Sequence, residues 1–155
     1  MKAFLTLAVF GTLSATSLSA KPLAVATQSG GFCHLQCPTT SITIHENGAV
    51  VAQTEVFVPE HKVSKATIAQ VSSKVIAAIK KDIEAAAAVP LVDPDPEGPF
   101  CADIPEQSFS IVKHGKMIEI GKQRDCHDFV LESYEASGII TALKGFVFLN
   151  NYSQI

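Results

Sequence analysis

Apolar and polar residues alternate in two separate parts of the chain, and a turn signal interrupts each of them. In the first part the alternation runs over 42–56 around Asn47 and Gly48, a dipeptide typical of type I′ hairpin turns because both positions tolerate positive φ. In the second part the alternation runs over 108–121 around a His-Gly pair. The pattern predicts two antiparallel hairpins, preceded by a short strand at 23–28.

Two other segments repeat apolar residues every three or four positions, which is the period of an amphipathic helix. The first helix is predicted at 65–87, with Thr67 and Gln70 as a capping box and Ser64 as a rival N-cap. The second is predicted at about 137–149, with a glycine inside it that weakens its helix propensity. The predicted stripe of the first helix comprises Ile68, Val71, Val75, Ile79 and Ile83.

The order of these elements predicts the fold class. Strand, hairpin, helix, hairpin and helix favour an α+β domain with an antiparallel sheet of about five strands. In this prediction both helices cover one face of the sheet, which makes two layers. The proline-rich segment 89–100 is predicted as a loop, because prolines oppose both helix and sheet interiors.

The first twenty residues have the pattern of a signal peptide. Lys2 supplies the positive start, an apolar run covers 3–13, and Ala20 offers a small residue for cleavage. This run is too short to span a membrane, which takes roughly 20 apolar residues. The sequence therefore predicts a signal peptide at 1–20 and a single α+β domain at 21–155, secreted or periplasmic. A buried N-terminal helix is the alternative.

The net charge of the chain restricts the kinds of molecule that we expect it to bind. Removal of Lys2 with the leader leaves 11 basic and 15 acidic residues, a net charge of −4. The chain contains no cluster of lysine and arginine that could neutralise phosphates, so we expect no nucleic acid partner. We expect no membrane span, and the oligomeric state stays open. A secreted peptidase or another protein is the expected kind of partner.

An even number of cysteines in an exported chain indicates disulfides. A two-residue turn at His114-Gly115 places Cys101 and Cys126 about one diagonal step apart at the open end of the second hairpin. That leaves Cys33 and Cys37 to each other as a small ring. The predicted pairs are therefore 33–37 and 101–126, and a bridge between the two halves of the chain is the main competitor.

The sequence supports metal binding, redox chemistry and nucleophilic catalysis less strongly than it supports disulfides. Cys33, His34, Cys37 and the Cys126-His127 pair could form a zinc or redox site, but their spacings match no standard motif. No nucleophile elbow or zinc-protease motif is present, so we predict no enzyme activity, no catalytic residue, no metal and no cofactor. The remaining candidates are predicted to be surface or loop residues: His45, His61, His114, Asp93, Asp95, Glu97 and Asp103.

The glycine-rich stretch Ser29-Gly30-Gly31-Phe32 follows the first strand, and two hairpin-helix units come after it. In this arrangement the chain resembles emfourin-type inhibitors of thermolysin-like metallopeptidases. A cysteine-proline pair followed by a strand and the turn 47–50 is also similar to a group of small secreted bacterial domains of unknown function. The extra cysteines, the leader and the longer proline loop depart from the emfourin pattern.

The inhibitor resemblance implies that Ser29, Gly30, Gly31 and Phe32 form a loop presented to a peptidase. Glycines allow a backbone to approach a partner closely, and the same glycines could instead only turn the chain. The predicted function is a secreted, non-enzymatic binding module, most concretely a peptidase inhibitor, with its surface at 29–37 beside the His-Gly turn or the proline loop. The alternatives are a metal- or redox-active Cys/His domain and a cell-envelope structural protein.

Overall fold

The structure is a computed structural model, and it describes residues 20–30, 37–57, 59–86, 91, 104–124, 127–130 and 134–152. The chain forms an α+β fold of strands and two helices. In chain order the elements are β1 Pro22–Ser29, β2 Thr39–His45, β3 Ala49–Val56, β4 Lys62–Gln70, α1 Ser73–Ala85, β5 Glu106–Lys113, β6 Lys116–Arg124, β7 His127–Val130 and α2 Tyr134–Tyr152. The predicted leader and most of the predicted proline loop lie outside the described residues.

The strands form one seven-stranded sheet in the order β4-β3-β2-β1-β5-β6-β7. Every neighbouring pair is antiparallel. Strand β1 is central, with one three-stranded meander on each side of it. The expected α+β class with an antiparallel sheet is confirmed, and the expected count of about five strands is close, with β4 and β7 each adding a strand at an edge.

Strand β4 corrects the predicted start of the first helix. The segment 65–70 pairs with β3 instead of forming a helical turn, and Ser72 is the N-cap of α1 in place of Ser64 or Thr67. Ile68 and Val71, which belong to the predicted helical stripe, pack against the core from the strand and the linker. Pairing along the whole of β3 outweighs the local helical period of this segment.

The structure confirms the predicted two-residue turn of the second hairpin and corrects the predicted turn of the first. His114 and Gly115 both have positive φ, 50° and 74°, as a two-residue type I′ turn requires. In the first hairpin only Gly48 has positive φ, at 84°, and its N–H donates to the carbonyl of His45 at 2.9 Å. The first turn is therefore a longer loop that ends on a left-handed glycine, and the type I′ prediction for Asn47-Gly48 is wrong.

Alternate strand residues build one hydrophobic core together with both helices. The largest fully buried side chains of the sheet are Ile42, Ile44, Val50, Phe109, Ile111 and Ile120. Helix α1 contributes Ile76, Ile79 and Ile83, and helix α2 contributes Ala136, Ile139, Ile140, Leu143 and Val147. Helix α2 is longer than its predicted range. In the described part of the chain, no helix is long and apolar enough to cross a membrane.

A lysine from the sheet holds the C-terminal end of α1. The last turn of α1 has no basic residue of its own, but Lys113 Nζ donates to the carbonyl of Glu84 at 2.7 Å and to that of Ala86 at 3.1 Å. We expect Lys113→Met to lower the free energy of unfolding by about 1–2 kcal/mol, because two helix-end carbonyls lose a charged donor. Urea denaturation measures this loss. Lys116→Met, the exposed residue opposite in the ladder, should change it by less than about 0.5 kcal/mol.

Candidate functional site

The segment that was predicted to bind a partner begins at the end of the central strand. Gln28 lies between Thr40 of β2 and Gln107 of β5, so strands on both sides hold it. Its Oε1 accepts hydrogen bonds from Gln107 Nε2 at 3.4 Å and from Asn151 Nδ2 of α2 at 3.5 Å. Ser29 still pairs with Glu106. The base of the loop is therefore fixed by two strands and by the end of a helix.

Gly30 is the first residue beyond this base. It is exposed and has a φ of 80°, a conformation that favours glycine. A Cβ at this position would lie 3.9 Å from the nearest heavy atom, the backbone nitrogen of Glu106, so space does not require the glycine. The positive φ is what requires a glycine here. Gly31 and Phe32, the other two predicted loop residues, lie outside the described residues.

The loop returns to the sheet through Cys37, which is disulfide-bonded. Cys33, Cys101 and Cys126 lie outside the described residues, so the predicted pairs 33–37 and 101–126 stay predictions. The start of β2, the start of β5 and the end of β6 all lie at one end of the sheet. A bridge between the two halves of the chain is therefore compatible with the topology as well.

A polar recess of about 220 Å³ opens beside the loop base. Its lining includes Thr27 and Ser29 from β1, with Glu106 from β5 and Glu119 and Lys122 from β6. The recess thus combines hydroxyl groups with charges of both signs. Such a surface can hydrogen-bond a polar partner.

This recess belongs to a larger polar face of the sheet. The register aligns one row of side chains across six strands, namely Lys122, Ser108, Thr27, Ser41, Gln53 and Lys65. The first five of these residues are partly exposed, and one strand neighbour of each is buried, namely Gly121, Phe109, Ala26, Ile42 and Ala52. Sequence analysis missed this face, although serine and threonine recur at every second position of the predicted strands. That alternation was the available signal.

The His114-Gly115 turn is not beside the loop, contrary to the prediction. It lies at the far end of β5, about 24 Å away along an eight-residue strand. There it borders a recess of about 690 Å³. Two pairs of side chains in that recess lie close to each other: Lys80 Nζ lies 3.3 Å from Glu46 Oε1, and His114 Nε2 lies 3.6 Å from Glu84 Oε2.

The two other histidines whose side chains are described, His45 and His61, contact groups within the fold. His45 Nδ1 lies 2.8 Å from the carbonyl oxygen of Ala20. His61 stacks on Phe57 with ring centroids 5.0 Å apart and lies 3.9 Å from the carboxylate of Glu55. Within the described ranges, no group of three or more potential metal ligands comes together. His34, the side chain of His127 and the loop carboxylates lie outside those ranges.

The strongest candidate site is therefore the end of the sheet that carries Ser29 and Gly30, together with the polar recess beside them. Comparison with known proteins adds no assignment: no protein-family model matches the chain, and no curated protein matches it.

Proposed function

We propose that this protein is a secreted or periplasmic, non-enzymatic binding module, and that its most concrete activity is inhibition of a secreted peptidase. Ser29, Gly30, Gly31 and Phe32 form the contact loop. The observation that carries the proposal is the combination of an exposed left-handed glycine with a fixed base. A loop held in this way loses little conformational entropy when it binds.

The surroundings of the loop support a protein partner more than a small molecule. The adjoining recess is small and polar, whereas small-molecule pockets are usually larger and mostly apolar. Peptidase clefts bind extended backbone, and glycines permit the close backbone approach that such a contact needs. The fixed end of β1 and the disulfide-bonded Cys37 restrain the loop from both sides.

The proposal includes the details of the fold and processing that the sequence predicts. A signal peptide at 1–20 is removed, the helices cover one face of the sheet in two layers, and the disulfides are 33–37 and 101–126. Peptide mapping of the unreduced protein by mass spectrometry tests the pairing. Four thiols that react in the native protein, with bound zinc, would instead support the alternative Cys/His domain.

Affinity capture tests the function directly. The purified protein is immobilised and incubated with culture medium of its source, and any captured peptidase is then assayed with and without the soluble protein. We expect a peptidase whose activity falls in a dose-dependent way at near-stoichiometric amounts. Capture of no peptidase, or of one that stays fully active, contradicts the inhibitor proposal.

Charged variants of the loop glycines test the site. Gly30→Glu and Gly31→Glu should weaken binding by at least 100-fold, because a carboxylate then occupies the point of close backbone approach. The added strain at Gly30 is about 1–2 kcal/mol, so that variant should stay folded. The measurement is the inhibition constant, together with circular dichroism.

Gly115→Glu is the matched control. Gly115 has nearly the same φ, 74° against 80°, and is also exposed, but it lies at the opposite end of the sheet. The substitution at Gly115 introduces the same charge and similar strain away from the loop. The Gly115→Glu variant should therefore inhibit like the wild type. If all three variants inhibit equally well, the loop is not the contact surface.

A further inference from the structure

Helix α2 has an outward face that is unusual for a surface helix. Its only charged residues are Glu135 and Lys144, and Lys144 Nζ lies 5.6 Å from the ring centroid of Phe109. After Lys144 the helix exposes large apolar side chains, with Phe148 exposed to 63% and Leu149 to 57%. Neighbouring large apolar groups on the surface mark an interaction site more often than scattered ones do.

A groove between the two helices adjoins these side chains. It has a volume of about 390 Å³ and is lined almost entirely by apolar groups. Helix α1 and the linker before it contribute Val71, Val75 and Ile79, while α2 contributes Ala142 and Gly145 among others. The protruding Phe148 and the groove therefore lie side by side on one surface.

Within the described part of the chain, no contact requires a glycine at position 145. A glycine in the interior of a helix is less favourable than alanine by about 1 kcal/mol. No described atom lies within 4 Å of the place where its Cβ would be, so neither crowding nor positive φ requires it. By contrast, a Cβ on Gly121 would meet Ile140 at 2.7 Å. A bare backbone at Gly145 fits a close approach from outside the chain.

We propose that this face binds a second copy of the chain, with α2 antiparallel to its counterpart around a two-fold axis at Gly145. Equal offsets from the axis then bring Phe148 of each copy to Ala142 of the other, and Leu149 to Thr141. Ala142 and Thr141 both line the groove. The same surface thus supplies the projection and the cavity that receives it, as a two-fold interface requires.

The size of the face sets the expected affinity. Helix α2 has 19 residues and is therefore about 28 Å long, and two adjacent helices are about 20 Å wide. This footprint is at most roughly 560 Å², because α1 is shorter than α2, and is below the ~800 Å² per partner of a standard stable interface. The dimer should therefore be in exchange with the monomer at micromolar concentrations. The loop at Gly30 takes no part in it, so the inference is independent of the proposed function.

Sedimentation velocity over about 1–500 µM tests the dimer with three variants. We expect wild type to dimerise, and Phe148→Glu to remain monomeric because its charge would be buried at the interface. Gly145→Gln should also weaken dimerisation at least 10-fold, yet its melting temperature should be unchanged or higher because glutamine favours helix. A variant that had simply lost its fold could not combine weaker dimerisation with an unchanged or higher melting temperature.

Met117→Glu is the matched control, because Met117 is exposed to 65% on β6 outside this face. It should dimerise like wild type. A wild-type chain that is monomeric throughout, or a dimer that all three variants leave unchanged, overturns the proposal. Flotation of a monomeric wild type with phosphatidylglycerol vesicles, abolished by Phe148→Glu, would also overturn it and assign the face to a lipid surface.

Discussion

Gly48→Ala is expected to lower the free energy of unfolding by about 3–4 kcal/mol, out of a total of roughly 5–15 kcal/mol for a domain of this size. Gly48 has a φ of 84°, which a residue with a Cβ adopts at a cost of about 1–2 kcal/mol. The Cβ would also clash with the carbonyl oxygen of Val71. Since that neighbour is backbone, either the turn or the linker must move.

The linker cannot move freely, because the turn and the linker are bonded to each other. The N–H of Val71 donates to the carbonyl of Gly48 at 2.8 Å, and Gln70 Nε2 donates to the carbonyl of Asn47 at 2.8 Å. These bonds fix the path from β4 into α1. A shift that relieves the clash would weaken both of them, so the steric and hydrogen-bonding costs add to the backbone strain.

Gly115→Ala measures the cost of backbone strain without a steric clash. Gly115 has a φ of 74°, but no described atom lies within 4 Å of its Cβ position. We expect a loss of only about 1 kcal/mol there. Urea denaturation at equal m-values measures both variants. Equal losses at the two positions would show that contact with the linker contributes nothing at Gly48.

The two turns show which part of a hairpin can be predicted from its residues. Strand alternation and a glycine located both hairpins correctly, since the side-chain period and a left-handed residue are local properties. The turn type was wrong at Asn47 because packing of Gly48 against Val71, 23 positions later in the chain, favours a longer loop there. That contact is tertiary, and no dipeptide encodes it.

The edge strand β4 shows a second limit of predicting secondary structure from local sequence. Lys62–Gln70 has helical spacing at its end, and six consecutive exposed residues leave little periodic signal for a strand. Its conformation comes from pairing with β3. The core stripe of α1 was predicted correctly at Ile79 and Ile83, because those residues repeat within one element.

The candidate site was predictable only in part. Glycines after a predicted strand indicated a turn at Ser29 and Gly30, which is a local inference. The fixed base depends on Gln107 and Asn151, which are 79 and 123 positions away from Gln28. Likewise, the polar row exists only because β1 lies between the two meanders, and strand order is not a local property of the sequence.

Strand order also determines the second large effect, which we expect for Phe109→Ala. Phe109 is 1% exposed and pairs with Ala26 of β1 on one side and Gly121 of β6 on the other. Both partners are small, so the ring fills the space above three strands. Its loss should cost about 3–5 kcal/mol, near the upper end of that range, because the small neighbours cannot collapse into the cavity.

Chemical denaturation of Phe109→Ala and of the control Met117→Ala measures this difference. Met117 is an apolar residue on the neighbouring strand with 65% exposure, and its truncation should change stability by less than about 0.5 kcal/mol. The aromatic ring also faces Lys144 Nζ at 5.6 Å, an arrangement whose cation–π attraction is about 0.5–1 kcal/mol at exposed sites. Phe109→Leu should therefore cost about 1–2 kcal/mol, since it keeps most of the volume but loses the π-face. A loss below about 1.5 kcal/mol for Phe109→Ala would show that α2 can settle onto the small residues of β1, and that the ring does not hold the helix above the sheet.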